Sequence, residues 1–192
     1  MRVKKAMYNT IILRVMDLIR SPRATWVRIR EENRRNREIQ NKFFYPLVAM
    51  VTLGTIAGAF LGSGEFEFPE MLKRSIVVLT SNFAGYFLSV ILLNEIVSSS
   101  LFNMEKQYSA CVRMVAYSSS ILLCINTIVA IVPDLFILRI GYFYTAFVIW
   151  TGSDVLFNGL EENQKGVFTV ICFILLYLSP FLIEKLMYMM MK

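Results

Sequence analysis

The stretch that decides the fold is residues 112–156, VRMVAYSSSILLCINTIVAIVPDLFILRIGYFYTAFVIWTGSDVL. It holds two apolar runs, 112–132 and 135–156, interrupted only by Pro133 and Asp134. Each is long enough to cross a hydrocarbon core, which takes roughly 20 helical residues. Lipid gives exposed backbone N–H and C=O groups no partner, so a crossing segment has to be helical. The pair is therefore expected to form a tight antiparallel hairpin of membrane helices. Further runs of this length lie at 43–61, 75–96 and 167–188. The last contains Pro180, which removes a helix donor and predicts a kink. The expected architecture is an all-α integral membrane protein whose residues 43–192 form one domain of five transmembrane helices.

Composition agrees. Of 192 residues, 56% are hydrophobic and 18% charged, and mean hydropathy is +0.56. That balance leaves too little polar surface for a soluble domain. Histidine is absent, which removes the usual general base and the commonest metal ligand. Cys111, Cys124 and Cys172 lie in or beside apolar runs and never at CxxC spacing, so they read as small packing residues. Ser98, Ser99 and Ser100, like Ser118, Ser119 and Ser120, have no evident activating base. There is no HExxH and no phosphate-cradling loop. Catalysis, a cofactor and a metal site are not expected.

Ahead of the spans, residues 1–42 carry twelve Lys/Arg against four Asp/Glu, a net charge of +8. Ser21 and Pro22, a good N-cap and first-turn pair, divide this basic arm into helices expected at about 7–20 and 22–41. In the first, Met7, Ile11, Val15 and Leu18 recur at helical spacing beside Ile12, Met16 and Ile19. This apolar face is flanked by Arg14, Asp17 and Arg20. The second helix opens with Trp26 and Val27 and offers i,i+4 pairs of Glu31 with Arg35 and Glu38 with Lys42. The expected role is an amphipathic pair at the cytoplasmic interface, touching anionic membrane lipid through Arg14, Arg20, Arg23, Trp26, Arg28 and Arg30. Each nearby cation would add about 1 kcal/mol. The plainer alternative is a flank whose charges only set topology. Nucleic acid is not an expected partner, because Tyr8 and Trp26 are the arm's only aromatics.

With the N-terminus in the cytoplasm, fifteen Lys/Arg fall on that side and five on the other, which predicts N-in and C-out. The loop at 64–70, with Glu65, Glu67 and Glu70, then faces outward. The first long apolar run begins only at Phe43, so insertion by the spans rather than by a cleaved signal peptide is expected.

Gly54, Gly58 and Gly62 share one helical face in two overlapping GxxxG patterns. They mark either a seam with a second copy or another membrane protein, or tight packing inside the bundle. Polar residues at membrane depth form two sets. Asn82, Asn126, Arg139 and Glu184 lie toward the outer face, one from each of the last four spans, with Arg139 and Glu184 at matching depth. Asn94, Glu95, Arg113 and Asp154 lie toward the inner face. These residues either line a polar path or stay near headgroups and bond between helices.

Within residues 113–166, Tyr117-Ser118, Pro133, the aromatic fourth run with Tyr142 and Tyr144, and Gly152 form a recognisable set. Upstream, LIRSPRATW at 18–26 adds a pre-membrane segment. Together these resemble the bacterial branch of the Yip family, integral membrane proteins named for interaction with Ypt/Rab-type GTPases in eukaryotes. A proline that often follows the Tyr-Ser pair is replaced by Ser119, Ser120 and Ile121. The resemblance implies five transmembrane helices, a cytoplasmic N-terminus, residence in a bacterial inner membrane and no enzymatic activity. Eukaryotic members act in vesicle trafficking. Their acidic, aspartate-bearing motif is not evident here, and a Rab-type GTPase is not an expected partner in a bacterium. Two readings result. One is a non-enzymatic protein of membrane organisation, lipid interaction or partner scaffolding; the other is a small transporter or lipid scramblase working through its intramembrane polar residues.

Overall fold

The computed structural model describes residues 2–62, 67–157 and 159–191, with side chains from residue 11 onward. Gly64, Glu65, Asn158 and Lys192 lie outside the described residues, as do the side chains of Arg2, Lys4, Lys5, Met7 and Tyr8. Every described element is a helix.

The arm is a helical hairpin. Helix α1 (Arg2–Arg20) meets α2 (Pro22–Glu32) through ion pairs of Arg14 with Glu32 and of Arg28 with Asp17. Pairing 14 with 32 and 17 with 28 sets the two helices antiparallel. Ser21 stands at the N-cap with Pro22 in the first turn, but its hydroxyl caps no N–H; Thr25 Oγ1 instead donates back to the Ser21 carbonyl at 2.9 Å.

The second arm helix does not reach the expected end at residue 41. It stops at Glu32 because Asn33 turns left-handed (φ 39, ψ 42), a conformation asparagine tolerates better than most residues, and Arg35 is extended. The spacing that Glu31 and Arg35 needed is lost, whereas Lys42 and Glu38 do pair, at 2.6 Å. Helix α3 (Asn36–Ile39) then runs through a π turn at Gln40–Phe44 into α4 (Tyr45–Leu61). The first span is thus one helix over Asn36–Leu61, about 39 Å long at 1.5 Å per residue, and starts ahead of Phe43. The register slips beside Pro46, which has no N–H to offer the preceding turn.

The remaining spans are α5 (Phe68–Val97), α6 (Tyr108–Ile131), a 3-10 segment (Pro133–Gly141) leading into α7 (Tyr142–Leu156), and α8 (Lys165–Met190). Among the described residues, five helices are long and apolar enough to cross a membrane, as expected. The hairpin between the third and fourth is tight, but its return arm is not α-helical from the start. Pro133 opens nine residues of 3-10 helix in which Leu135 departs from helical angles. The fifteen residues of α7 would cover only about 22 Å, and the steeper 3-10 rise adds about 18 Å, enough to complete a crossing.

The spans close into a ring: α4 rests on α5 and α6, α5 on α8, α8 on α7, and α7 on α6. Helix α6 is the most enclosed. Its serines answer their own turns, Ser119 donating to the Ala116 carbonyl at 3.2 Å and Ser120 to that of Tyr117 at 2.6 Å. That suits buried packing rather than a nucleophile. The three cysteines are free, and Cys111 and Cys172 are fully buried.

Two of the three glycines of the first span face α6 of the same chain. A Cβ at Gly58 would lie 1.8 Å from the Ala130 carbonyl oxygen, and one at Gly54 would lie 3.1 Å from that of Thr127. Gly62 meets only atoms of its own helix. Across the ring, the missing Cβ of Gly85 admits Pro180, whose backbone would otherwise sit 2.7 Å away. Ser89 Oγ donates to the Leu175 carbonyl at 3.0 Å, in the stretch of α8 whose ladder Pro180 interrupts.

Candidate functional site

Two assemblies gather the polar and amphipathic residues. One is the arm docked at one end of the bundle, here the arm end; the other is a polar cavity opening toward the far end.

Docking centres on Trp26, which is 0% exposed. Its indole N–H donates to the Val148 carbonyl at 2.9 Å, and its ring fills the notch left by Gly152, where a Cβ would lie 2.6 Å from the indole. Tyr117 meets the indole edge-on, with centroids 6.1 Å apart. Arg30 donates to the Val155 carbonyl at 3.0 Å and the Tyr144 hydroxyl to that of Ile19 at 2.6 Å, so both arm helices are fastened to α7. Trp26 is therefore not a membrane-surface contact. A buried tryptophan needs an acceptor for its N–H, and α7 supplies both the notch and the carbonyl. Arg14 is corrected likewise: its side chain is only 10% exposed and turns onto Glu32, whose other oxygen pairs with Arg34 at 2.9 Å. Arg20 and Arg23 remain exposed, and Arg28 and Arg30 are exposed but tied to Asp17 and Val155.

Helix α1 is apolar on two sides. Ile11, Val15 and Leu18 turn into the core, whereas Ile12 (48% exposed), Leu13 (58%), Met16 and Ile19 turn out. The inward stripe explains why the arm folds back. Against the described residues, the outward side chains stay 38–58% exposed.

The arm-end polar residues do not converge. Arg113 donates to Asn33 Oδ1 at 2.6 Å and so braces the turn after α2. Glu95 pairs with Lys106 at 2.6 Å, and Asp154 with Lys165 at 2.6 Å, beside Glu162 at 3.5 Å. Each charge is answered from the arm, a neighbouring loop or the first residue of α8. Such partly exposed pairs contribute little. Asp154→Asn is accordingly expected to lower stability by less than about 1 kcal/mol in thermal unfolding, and a loss of several kcal/mol would assign Asp154 a role the geometry does not show.

The far-end set does converge. Asn82, Asn126, Arg139 and Glu184, from four different spans, all line one cavity of about 300 Å³. Its floor is closed: Phe44, Tyr86, Ser89 and Val115 are each 3% exposed or less. Phe44 stacks on Tyr86 at 4.0 Å between centroids, and Gln40 Nε2 donates to the Tyr86 hydroxyl at 3.4 Å. Above the floor, the Tyr142 hydroxyl donates to Asn126 Oδ1, and Asn82 Nδ2 to its own helix at the Val78 carbonyl, 2.7 Å away. The rim carries Arg139 with the exposed rings of Tyr177 and Phe181. Arg139, near the end of the 3-10 segment, and Tyr142, which opens α7, stand three residues apart and line the same space. Among the described residues, the ion pairs include neither Arg139 nor Glu184.

Counting residues from the helix ends was enough to find this set. Tyr86, Tyr177 and Gly85 carried no such signal, being an aromatic or a small residue among many others in apolar sequence. No group of His, Cys, Asp and Glu able to hold a metal occurs among the described residues.

No curated protein and no solved structure matches the chain. Residues 16–183 match a family model, that of the Yip1 domain. The matched range opens near the end of α1, takes in α2 and the first four spans, and ends within α8. A match over most of the chain, on an arm and five helices of this arrangement, makes it a member of the Yip1-domain family of membrane proteins.

Proposed function

We propose that this protein is a non-enzymatic organiser of the inner membrane whose folded arm engages anionic lipid on the cytoplasmic leaflet. The observation that carries the reading is the second apolar stripe of α1, Ile12, Leu13, Met16 and Ile19, left outward after the first stripe has been used to dock the arm. Exposed Arg20 and Arg23 flank the α1–α2 turn beside it. Helix α1, with apolar side chains left on one side and cations at its edge, has the make-up of an interfacial helix. The charge asymmetry supports a cytoplasmic N-terminus and an external C-terminus.

The test is hydrogen exchange of the α1 amides in the full-length protein, reconstituted into neutral and into anionic bilayers. Protection is expected to be greater in the anionic bilayer, and Arg20→Glu with Arg23→Glu to remove the difference, each cation contributing about 1 kcal/mol. Equal exchange in both bilayers would sink the proposal.

A second reading, a small transporter or lipid scramblase, is favoured by the far-end cavity. Its closed floor and the pairing of Glu95, Arg113 and Asp154 outside it argue for a binding site reached from one side rather than a path. Flux of lipid or solute in liposomes above protein-free controls, slowed by Arg139→Gln, would favour transport instead.

A further inference from the structure

The geometry points to the far-end cavity as a binding site for the headgroup of a zwitterionic phospholipid, with its phosphate on Arg139 and its ammonium on Glu184. This inference stands on the cavity alone and is independent of the arm.

Arg139 and Glu184 line the same cavity from opposing elements, the 3-10 segment and α8, and neither joins an ion pair among the described residues. The two opposite charges do not close on each other: Arg139 reaches the Tyr142 hydroxyl, and Glu184 joins no ion pair among the described residues. Counting from the helix ends puts them at one level: six residues from Pro133 is roughly 12 Å by the 3-10 rise, and six from Met190 is about 9 Å by the α rise. The guanidinium is planar and matches the oxygens of a phosphate, while a carboxylate suits an ammonium. Beyond these two, Lys185 Nζ lies 5.5 Å over the ring of Phe181 at the rim, and Arg74 and Glu70 lie near Tyr188, so charges of both signs surround the cavity. A net anion or a net cation would leave one of the two liganding charges unanswered in a low-dielectric site, which is disfavoured; a zwitterion answers both.

The cavity's shape narrows the source. About 300 Å³ is at the small end of ligand pockets and holds a headgroup rather than a whole lipid. Asn82 and Asn126 supply neutral polar contacts below the charges. Tyr177 and Phe181, exposed at the rim on the lipid-facing side of α8, offer apolar surface on which the glycerol and upper acyl chain would lie. A headgroup entering from the adjacent leaflet brings its tails to that surface, and a free headgroup would leave it bare.

The experiment uses full-length protein in mild detergent, titrated with phosphatidylethanolamine, phosphatidylglycerol and tail-free glycerophosphoethanolamine, with bound species read by native mass spectrometry. Wild type is expected to hold phosphatidylethanolamine about tenfold or more above phosphatidylglycerol, a difference of at least about 1.4 kcal/mol. Glu184→Gln should bring that ratio close to one, and Arg139→Gln should weaken both lipids. Lys165→Gln, at the arm end, should change neither. Asn126→Leu, which fills the cavity without altering its charge, should lower retention of both lipids, and it keeps the test decisive if a charge variant fails to fold. Equal retention of the two lipids by wild type, or variants that bind as wild type does, would overturn the assignment. Retention of glycerophosphoethanolamine as tight as that of the lipid would overturn the lipid source and assign the site to a soluble zwitterion.

Discussion

Trp26→Ala is expected to release the arm from the bundle and to lower stability by about 3–5 kcal/mol. The indole is wholly buried, and its removal empties the notch at Gly152 and leaves Tyr117 without its edge contact. The lost N–H also takes a hydrogen bond from the Val148 carbonyl. Trp26→Phe keeps much of the apolar area but loses the donor and part of the ring, so a smaller loss of about 1–2 kcal/mol is expected. Limited proteolysis at the exposed basic residues Arg20 and Arg23, alongside thermal unfolding, reads both effects. Arm cleavage should accelerate strongly in Trp26→Ala and weakly in Trp26→Phe. An arm equally resistant in all three proteins would show that Trp26 does not hold it.

The second large effect belongs to Gly58→Ala. Its Cβ would fall 1.8 Å from a backbone oxygen, so α4 and α6 must separate and no side-chain adjustment can relieve the clash. A loss of about 3 kcal/mol or more is expected, at or beyond the usual range for overpacking. Gly166→Ala is the control, since nothing lies within 4 Å of its Cβ position; it should be neutral or slightly stabilising. If Gly58→Ala changed oligomeric state and left the melting temperature alone, the glycine face would be a seam between copies instead.

The spans were readable because length and apolarity alone set a membrane crossing. Less readable was the 3-10 start of the fourth span. Residues 133–141 are apolar enough to read as part of an α-helical span, and only Pro133 hints at a different ladder. The far-end polar set was readable by depth, because Asn126, Arg139 and Glu184 each lie near the end of their element. The arm-end set looked equivalent by the same count. What separates the two is a set of partners in loops and in the arm, such as Lys106 for Glu95 and Asn33 for Arg113, which no periodicity reveals.

Trp26 shows the same limit more sharply. A tryptophan in a basic amphipathic arm is a normal interfacial signal, and its acceptor lies 122 residues further along. The local clue was narrow: Thr25, Trp26 and Ile29 form the one buried stripe in an otherwise charged helix. In α1, the doubled apolar face was visible in the sequence, but which half would dock was not.

The central claim is that the docked arm lays its second apolar stripe on lipid. The most direct measurement is collision accessibility of a nitroxide on Met16→Cys, in full-length protein with its three native cysteines replaced by alanine, reconstituted into anionic vesicles. The label is predicted to collide readily with oxygen, which partitions into lipid, and to be shielded from a water-soluble nickel chelate. Free access of the chelate, equal to that at exposed Glu31→Cys on α2, would contradict the account.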